Sequence, residues 1–413
     1  MKEYQITPRD VLFFRDARPM GGSSAGSGAD WPLPSVLHAA LLSALHDRWP
    51  EGVPEEGRHT HLTRREKKKF GTADAAEADT RFRFGDLRAL GPFPMLNDSL
   101  HLPTPADLVQ GGIMAPVARF GSDNLPAPLK YPVANPAPPS KENPYPWMTL
   151  AEFAKYLSGE ANVETVKSEK LYTSEARPGV GIDPETHANE ESLFYQAEYL
   201  RLREGVSLAL AAEANVGRNG TTRSLLGELV PDTEAGHLIL GGQRGTARIE
   251  ATGGELEARL ERCLPPPEAT GKLIKWVLLT PALFDAGWRP DWVGEDGGVQ
   301  LLARLDRSDF PTRKAWREAM KARQDDLRIG ARLVAARVPK PVVASGWKLA
   351  KEADHAGGKA KPTRLLVPAG SVYYFECDDA DQAASLVREL HLQVKSQRLG
   401  NQGFGLGVCG TWD

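Results

Sequence analysis

Cysteine is nearly missing from this chain: Cys263, Cys377 and Cys409 are the only three in 413 residues, and no two stand at a C-x-x-C spacing. That scarcity excludes a disulfide framework and a thiolate metal site, and leaves reduced, partly buried thiols as the expectation. Long apolar runs are absent as well. No stretch approaches the ~18 uncharged apolar residues of a membrane span, and MKEYQITPRD has no apolar core of signal-peptide length, so a cytoplasmic protein is expected. Nor is there an excess of positive charge: 51 Lys and Arg against 54 Asp and Glu give a net charge of -3. Any nucleic-acid contact must therefore come from a local basic surface, and a generic RNA or DNA coat is disfavoured.

Several chemical signatures are missing too. No G-x-G-x-x-G opens a helix after a strand, and no G-x-x-x-x-G-K-[ST] occurs, which excludes the common nucleotide-cradling loops. Gly22 to Gly26 fits G-x-S-x-G, but more Gly-Ser and then Pro32 and Pro34 follow the serine, so a flexible loop replaces the strand-elbow-helix that a hydrolase needs. His59 and His61 lack a third metal ligand nearby, and no spaced acidic pair stands out. No metal and no cofactor are expected.

What the chain does have is glycine at its end. Gly400, Gly403, Gly405 and Gly407 crowd the stretch KSQRLGNQGFGLGVCGTW. Glycine loses the most freedom on ordering, so such a cluster marks left-handed torsions or a close approach to the backbone, either a tight turn or a nest for a phosphate. At 413 residues the chain exceeds a single core, and two domains are expected. The run CLPPPEATGKL places the boundary at 264/265, giving domains 1–264 and 265–413.

Leu37, Leu41, Leu45 and Trp49 recur four apart after Pro34, predicting a helix with Ser35 as a possible cap. Residues from about 50 to 190 lose periodicity and read as a long insertion carrying the basic run Arg64 to Lys69. The alternation around Tyr199, Leu202, Leu208 and Leu210 predicts a hairpin turning near Gly205. Beyond the prolines, KLIKWVLLT, RLVAARV, GSVYYFE and FGLGVCGTW read as strands, with helices over TRKAWREAMKARQDDL and DADQAASLVRELHL. That order suits an α+β fold, an antiparallel sheet with helices on one face in a split βαβ arrangement, and the N-terminal half fits a second copy.

Taken in order, FFRDARPM, PLPSVLHAALLSAL, ARPGVGIDPETHANEESLFYQAEYLR, LGGQRGTA, LTPALFDAGWRPDW, ASGWKLA, KPTRLLVPAGSVYYFE and GNQGFGLG resemble the Cmr-type RAMP proteins of type III-B CRISPR systems. The likeness is to the third subunit, in the Cas-five-like group. It implies two ferredoxin-like (RRM-like) RAMP domains, no catalytic activity, and a place holding the 5′ tag of the guide RNA (crRNA). The implied neighbours are a large polymerase-like CRISPR subunit and the backbone RAMP subunits, with target RNA met indirectly. Where such proteins carry a G-A-L-R pattern in the first helix, this chain has His38 to Leu42, so no arginine contact is assigned there.

Within the matching stretches, single-stranded RNA chemistry needs cations for phosphates, planar groups for bases, and donors and acceptors for base edges. Arg15, Arg18, Arg177, Arg244, Trp347, Lys348, Lys361, Arg364, Arg398, Asn401, Gln402 and Phe404 supply those types, with Gly400, Gly403 and Gly405 expected to let phosphates approach the main chain. Ala176 to Glu191 resembles a projecting thumb. A sibling class, the metal-independent RAMP endoribonucleases, is the alternative, for which His38 with Tyr4 or Tyr199 is the candidate acid-base core.

Overall fold

The computed structural model describes all residues except 15–24, 27–28, 51–83, 111, 118–123, 136–143, 183–185, 187–188, 219–220, 269–270, 304–308, 324–326, 349–358 and 413. The His59/His61 pair, the run Arg64 to Lys69, Arg15 and Arg18 lie outside the described residues.

Two antiparallel sheets carry the fold. The first has seven strands: β1 (Lys2–Pro8), β2 (Arg88–Leu96), β3 (Ser99–Pro103), β4 (Trp147–Thr149), β7 (Val206–Glu213), β8 (Gly236–Ile239) and β9 (Thr246–Ala251), in the order β8-β9-β1-β7-β2-β3-β4. Between β4 and β7 a separate hairpin is formed by β5 (Tyr172–Ile182) and β6 (Asn189–Leu202). The second sheet has five strands: β10 (Leu273–Leu278), β11 (Ala331–Arg337), β14 (Val372–Cys377), β15 (Gln393–Val394) and β16 (Leu406–Thr411), in the order β11-β14-β10-β16-β15. A short ribbon of β12 (Val342–Ala344) and β13 (Arg364–Leu366) stands between β11 and β14 in sequence.

Alternation along the strands sorts side chains to two faces. On the first sheet, Tyr4, Ile6, Leu208 and Leu210 face α1 (Pro34–Arg48), whose stripe Leu37, Leu41 and Leu45 is fully buried against them. Truncating one of those leucines to alanine is worth about 2–5 kcal/mol. Leu33, not Ser35, is the N-cap, and Pro34 fills the first turn where its missing N–H costs nothing.

On the opposite face, Phe93, Met95, Ala209 and Ala211 share one cluster with Val277, Val372, Tyr374, Leu406 and Val408 of the second sheet. That cluster also takes in Phe153 and Tyr156 of α2 (Leu150–Leu157) and Leu256 and Leu260 of α3 (Leu256–Cys263). The outer face of the second sheet buries Trp276, Tyr373 and Phe375 against Leu386, Val387 and Leu390 of α5 (Ala380–Leu390), capped by the Asp379 side chain on the amide of Gln382 at 2.8 Å. By contrast, α4 (Arg313–Ala322) buries none of its residues. All three cysteines are free thiols.

Two expectations are corrected. Arg88–Leu96 lies inside the supposed insertion of about 50–190, yet it is an interior strand of the first sheet, paired with β7 from Leu96↔Val206 to Arg88↔Glu213. Gly91, Pro92 and Pro94 read as breakers, but a register shift in β7 between Ala209 and Ala211 accommodates the irregular strand. Gly91 at φ 107 allows a close approach: a Cβ there would stand 2.8 Å from the Ala209 carbonyl. The hairpin expected at Gly205 does not form either. β6 pairs with β5, from Tyr172↔Leu202 outward, while β7 pairs with β1 and β2, so Gly205 marks a passage between sheets.

Candidate nucleic-acid interface

The foot of the β5–β6 hairpin gathers charged and planar groups. Glu175 accepts from Arg177 Nε at 2.7 Å and from Arg201 Nε at 2.5 Å, and Asp10 lies 3.3 Å from Arg177 and 3.1 Å from Arg201. The four groups close a ring of alternating charge, all of it solvent-exposed or nearly so. Hydrogen bonds from Arg201 and then Arg177 hold the Glu175 carboxyl down at about 2. The ring ties the hairpin to the chain following β1, where Leu12 and Leu200 exchange backbone bonds at 2.7 and 2.8 Å.

The Arg177 guanidinium sits over the Tyr199 ring at 5.1 Å, and Phe13 lies 5.2 Å from the same ring at 45°. The Tyr199 hydroxyl bonds Gln243 in the turn that follows β8. That turn is set by backbone shape. Gly241, Gln243 and Arg244 all have positive φ, and a Cβ on Gly241 would meet the Phe13 carbonyl at 2.7 Å. Arg244 is exposed beside Gln243. Arg177 and Arg244 are thus brought to one place, and Phe13, Tyr199, Arg201 and Gln243 join them. The signal for Gln243 was its position next to Arg244 in GGQRG. Tyr199 and Arg201 sit on β6 at alternate positions with the same facing.

The C-terminal loop behaves differently. Gly403 and Gly405 have φ of 96 and 81, and both are buried against this chain itself. A Cβ on Gly405 would stand 2.4 Å from the Ser396 amide nitrogen, and one on Gly403 would stand 2.7 Å from the Ala89 carbonyl of β2. The loop amides are also spent internally: Gly405 donates to Pro281 at 2.8 Å, Gly403 to Gly400 at 3.0 Å, Gln402 to Leu399 at 2.9 Å, and Leu406 to the Thr280 hydroxyl at 2.9 Å. The expectation that these glycines admit phosphate gives way to a finding. They admit β2 and the Ser396 turn, locking the loop across both sheets.

Phe404 is likewise 1% exposed, packed with Leu283, Leu366, Leu399 and Leu33, so its ring is not offered for stacking on a base. What the loop shows to solvent is Arg398, Asn401 and, in part, Gln402, with Gly400 half-buried. Arg398 is held in a fork by Asp285, at 2.9 and 3.0 Å. The β12–β13 ribbon abuts this loop, since Ala344 and Leu366 belong to the Phe404 cluster. Arg364 and Lys361 are exposed on it. Farther along, Trp347 pairs with Ala360 and Lys348 with Lys359 through the backbone; the Trp347 and Lys348 side chains lie outside the described residues.

His38 is 7% exposed on α1, its Nε2 is 3.3 Å from the Leu87 carbonyl, and burial lowers its pKa. Tyr4 is 1% exposed, and burial raises its pKa to about 12. Among the described residues no hydrogen bond joins His38 to Tyr4 or Tyr199, and no group of three His, Cys, Asp or Glu side chains could hold a metal ion. No helix among the described residues is long and apolar enough to cross a membrane.

A model of the family described as CRISPR-associated protein (Cas_Cmr3) matches residues 4–412, so the chain belongs to that family. No curated protein matches it. Among solved structures, it is similar at TM-score 0.42 and 13% identity to a chain of the Type III-B Cmr-beta bound to cognate target RNA and AMPPnP, covering 94% of this chain and 89% of that one. A second Cmr-beta structure with cognate target RNA gives TM-score 0.41, 12% identity and coverage of 90% and 86%. A crystal structure of a Csm3-Csm4 subcomplex of the type III-A interference complex gives TM-score 0.35, 9% identity and coverage of 92% and 94%.

Proposed function

We propose that this member of the Cas_Cmr3 family is a non-catalytic, RNA-binding scaffold subunit of a type III-B CRISPR effector complex in antiviral defence. It holds the 5′ tag of the guide RNA and bridges the large polymerase-like subunit to the backbone RAMP subunits in the cytoplasm. The observation that carries the reading is the family match over residues 4–412. The strand orders support a pair of ferredoxin-like RAMP domains, 1–264 and 265–413: in β9-β1-β7-β2 and in β16-β10-β14-β11 the first strand lies between the fourth and the third, and the second is outermost.

The hairpin foot supplies the chemistry. Arg177, Arg201 and Arg244 present cations, Tyr199 and Phe13 present planar faces, and Gln243 presents an amide, all on half-exposed or exposed positions. Arg398, Asn401 and Gln402 form a second exposed polar surface at the loop. The buried, carbonyl-bound His38 supports a scaffold more than a nuclease. The test is to purify the tagged chain with its complex from the native host and sequence the bound RNA. Short guides sharing one 5′ end are expected; bulk RNA without a common end sinks the reading. Incubation with repeat-containing RNA in EDTA should leave that RNA intact, and site-specific cleavage lost in His38→Ala would restore the nuclease.

A further inference from the structure

We infer that the outer face of the β12–β13 ribbon is a docking surface for an acidic protein segment bearing aliphatic side chains. The inference rests on the chain working inside an assembly, as proposed above. Of the six large apolar side chains exposed among the described residues, three are on this ribbon: Val343 at 45% and Leu365 at 57% on its outer face, and Val342 at 36% on the other. Val343 and Leu365 are directly opposite in the register, so they stand on one face as a pair. The neighbouring positions, Val342↔Leu366 and Ala344↔Arg364, lie on the other face, where Leu366 and Ala344 pack onto Phe404 and Leu283. One side of the ribbon is therefore anchored in the protein and the other carries aliphatic groups into solvent.

The ribbon's own charge has one sign: Lys340 and Lys361 flank its two strands and are exposed, Arg364 is exposed on the anchored side, and the described residues 337–348 and 359–368 contain no Asp or Glu. The rest of the chain is the more acidic part, since the whole carries -3. A partner that satisfies both features supplies carboxylates around apolar side chains. Single-stranded RNA satisfies only the first, because its bases are met by aromatic or guanidinium planes, and Val343 and Leu365 offer neither. An exposed aliphatic pair flanked by lysines suits a protein contact of complementary charge.

The experiment uses the assembled effector complex and a carbodiimide, which joins a lysine amine directly to a carboxylate with no spacer. Lys340 and Lys361 are expected to couple to Asp or Glu of another protein chain, and to resist acetylation in the complex relative to the free chain. The double variant Val343→Asp/Leu365→Asp is expected to lose those links and to reduce recovery of the linked subunit at least tenfold. Both positions are exposed, and its melting temperature should match the wild type. Guide RNA per copy of this chain should be unchanged. Should the variant misfold, the wild-type links and acetylation pattern decide alone. Ribbon lysines that couple only within their own chain, that crosslink to RNA under ultraviolet light, or that acetylate equally in both states would overturn the inference. Protein links found without any guide RNA would sink the RNA-binding reading and leave the docking surface standing.

Discussion

Two clusters in this molecule use the same ingredients and end up with opposite roles. At the junction of the sheets, Asp107 accepts from the Tyr156 hydroxyl at 2.7 and 2.9 Å and from Tyr374 at 2.9 Å, with Lys275 Nζ at 3.8 Å and 4.0 Å over the Tyr156 ring. Asp107 is fully buried and Lys275 is 3% exposed. At the hairpin foot, Asp10, Glu175, Arg177 and Arg201 pair at comparable distances in contact with water. A buried charge can change partner only at a cost of several kcal/mol, whereas an exposed pair is worth roughly 0–1 kcal/mol. The first cluster can therefore only hold the protein together, and the second can trade its carboxylates for phosphates. The glycine loop belongs with the first.

The comparison breaks most visibly at Asp107. Asp107→Ala should lower stability by about 3–5 kcal/mol, since it removes a buried counter-charge and strands two phenols. Denaturant unfolding measures it, and the double variant Asp107→Asn/Lys275→Met should recover most of the loss. A single variant within 1 kcal/mol of the wild type would make the junction as slack as the foot. Next comes Gly405→Val, expected to cost roughly 3 kcal/mol because it combines a positive φ with a clash against backbone. A thermal melt near that of the wild type would show that the loop is free to open, and would return it to the candidate site.

The same division explains which parts could be read from the sequence. The second sheet announced itself, since KLIKWVLL and SVYYFEC are apolar on both faces and α5 carries its own Asp379 cap. The strand RALGPFPML was hidden because its two prolines and glycine mimic a loop, and only pairing with a bulged partner makes it a strand. Gly205, between two apolar alternating runs, is what a hairpin turn looks like locally. Which strand each run pairs with is a long-range matter. The terminal glycines mark a close approach, but nothing local says whether the approaching backbone belongs to a ligand or to Ala89. Arg177 and Arg244 were legible as types, whereas Asp107 was invisible, because a lone aspartate shows its worth only when two tyrosines from distant elements close over it.

On the RNA side the foot should dominate, and salt separates it from the loop. If Arg177 binds phosphate, Arg177→Ala should flatten the fall of log affinity with log salt by about 0.7, or about fivefold in affinity at 0.1 M salt, with little change in sequence preference. Arg398→Ala should do less, since its guanidinium is already forked onto Asp285 and must leave it to bind. A titration of guide and scrambled-tag RNA at several salt concentrations, using the smallest subcomplex that binds, distinguishes them. Equal slopes for both variants and the wild type would remove both arginines from the interface.

The smallest effect is the sharpest. Glu175 titrates at about 2 in the folded chain against an ordinary 4.5, because Arg201 and Arg177 bond its charged form. A carboxylate with a depressed folded pKa contributes stability that is present above 4.5 and is lost as pH falls through about 2. At pH 4 it should therefore be ionised in the free protein, which the carboxyl carbon chemical shift of labelled glutamate reports. The pairs are exposed, so 0.5 M salt should move the midpoint upward by screening. Phosphate arriving at the two arginines would take the donors from Glu175 and place a like charge beside it, and both changes raise the pKa. Adding guide RNA at pH 4 should then shift the Glu175 signal toward the protonated form, and Arg177→Ala should blunt that response. A signal indifferent to RNA would mean that the ring keeps its carboxylates in the complex, and that the hairpin foot, like the sheet junction, is a fastening and not a binding site.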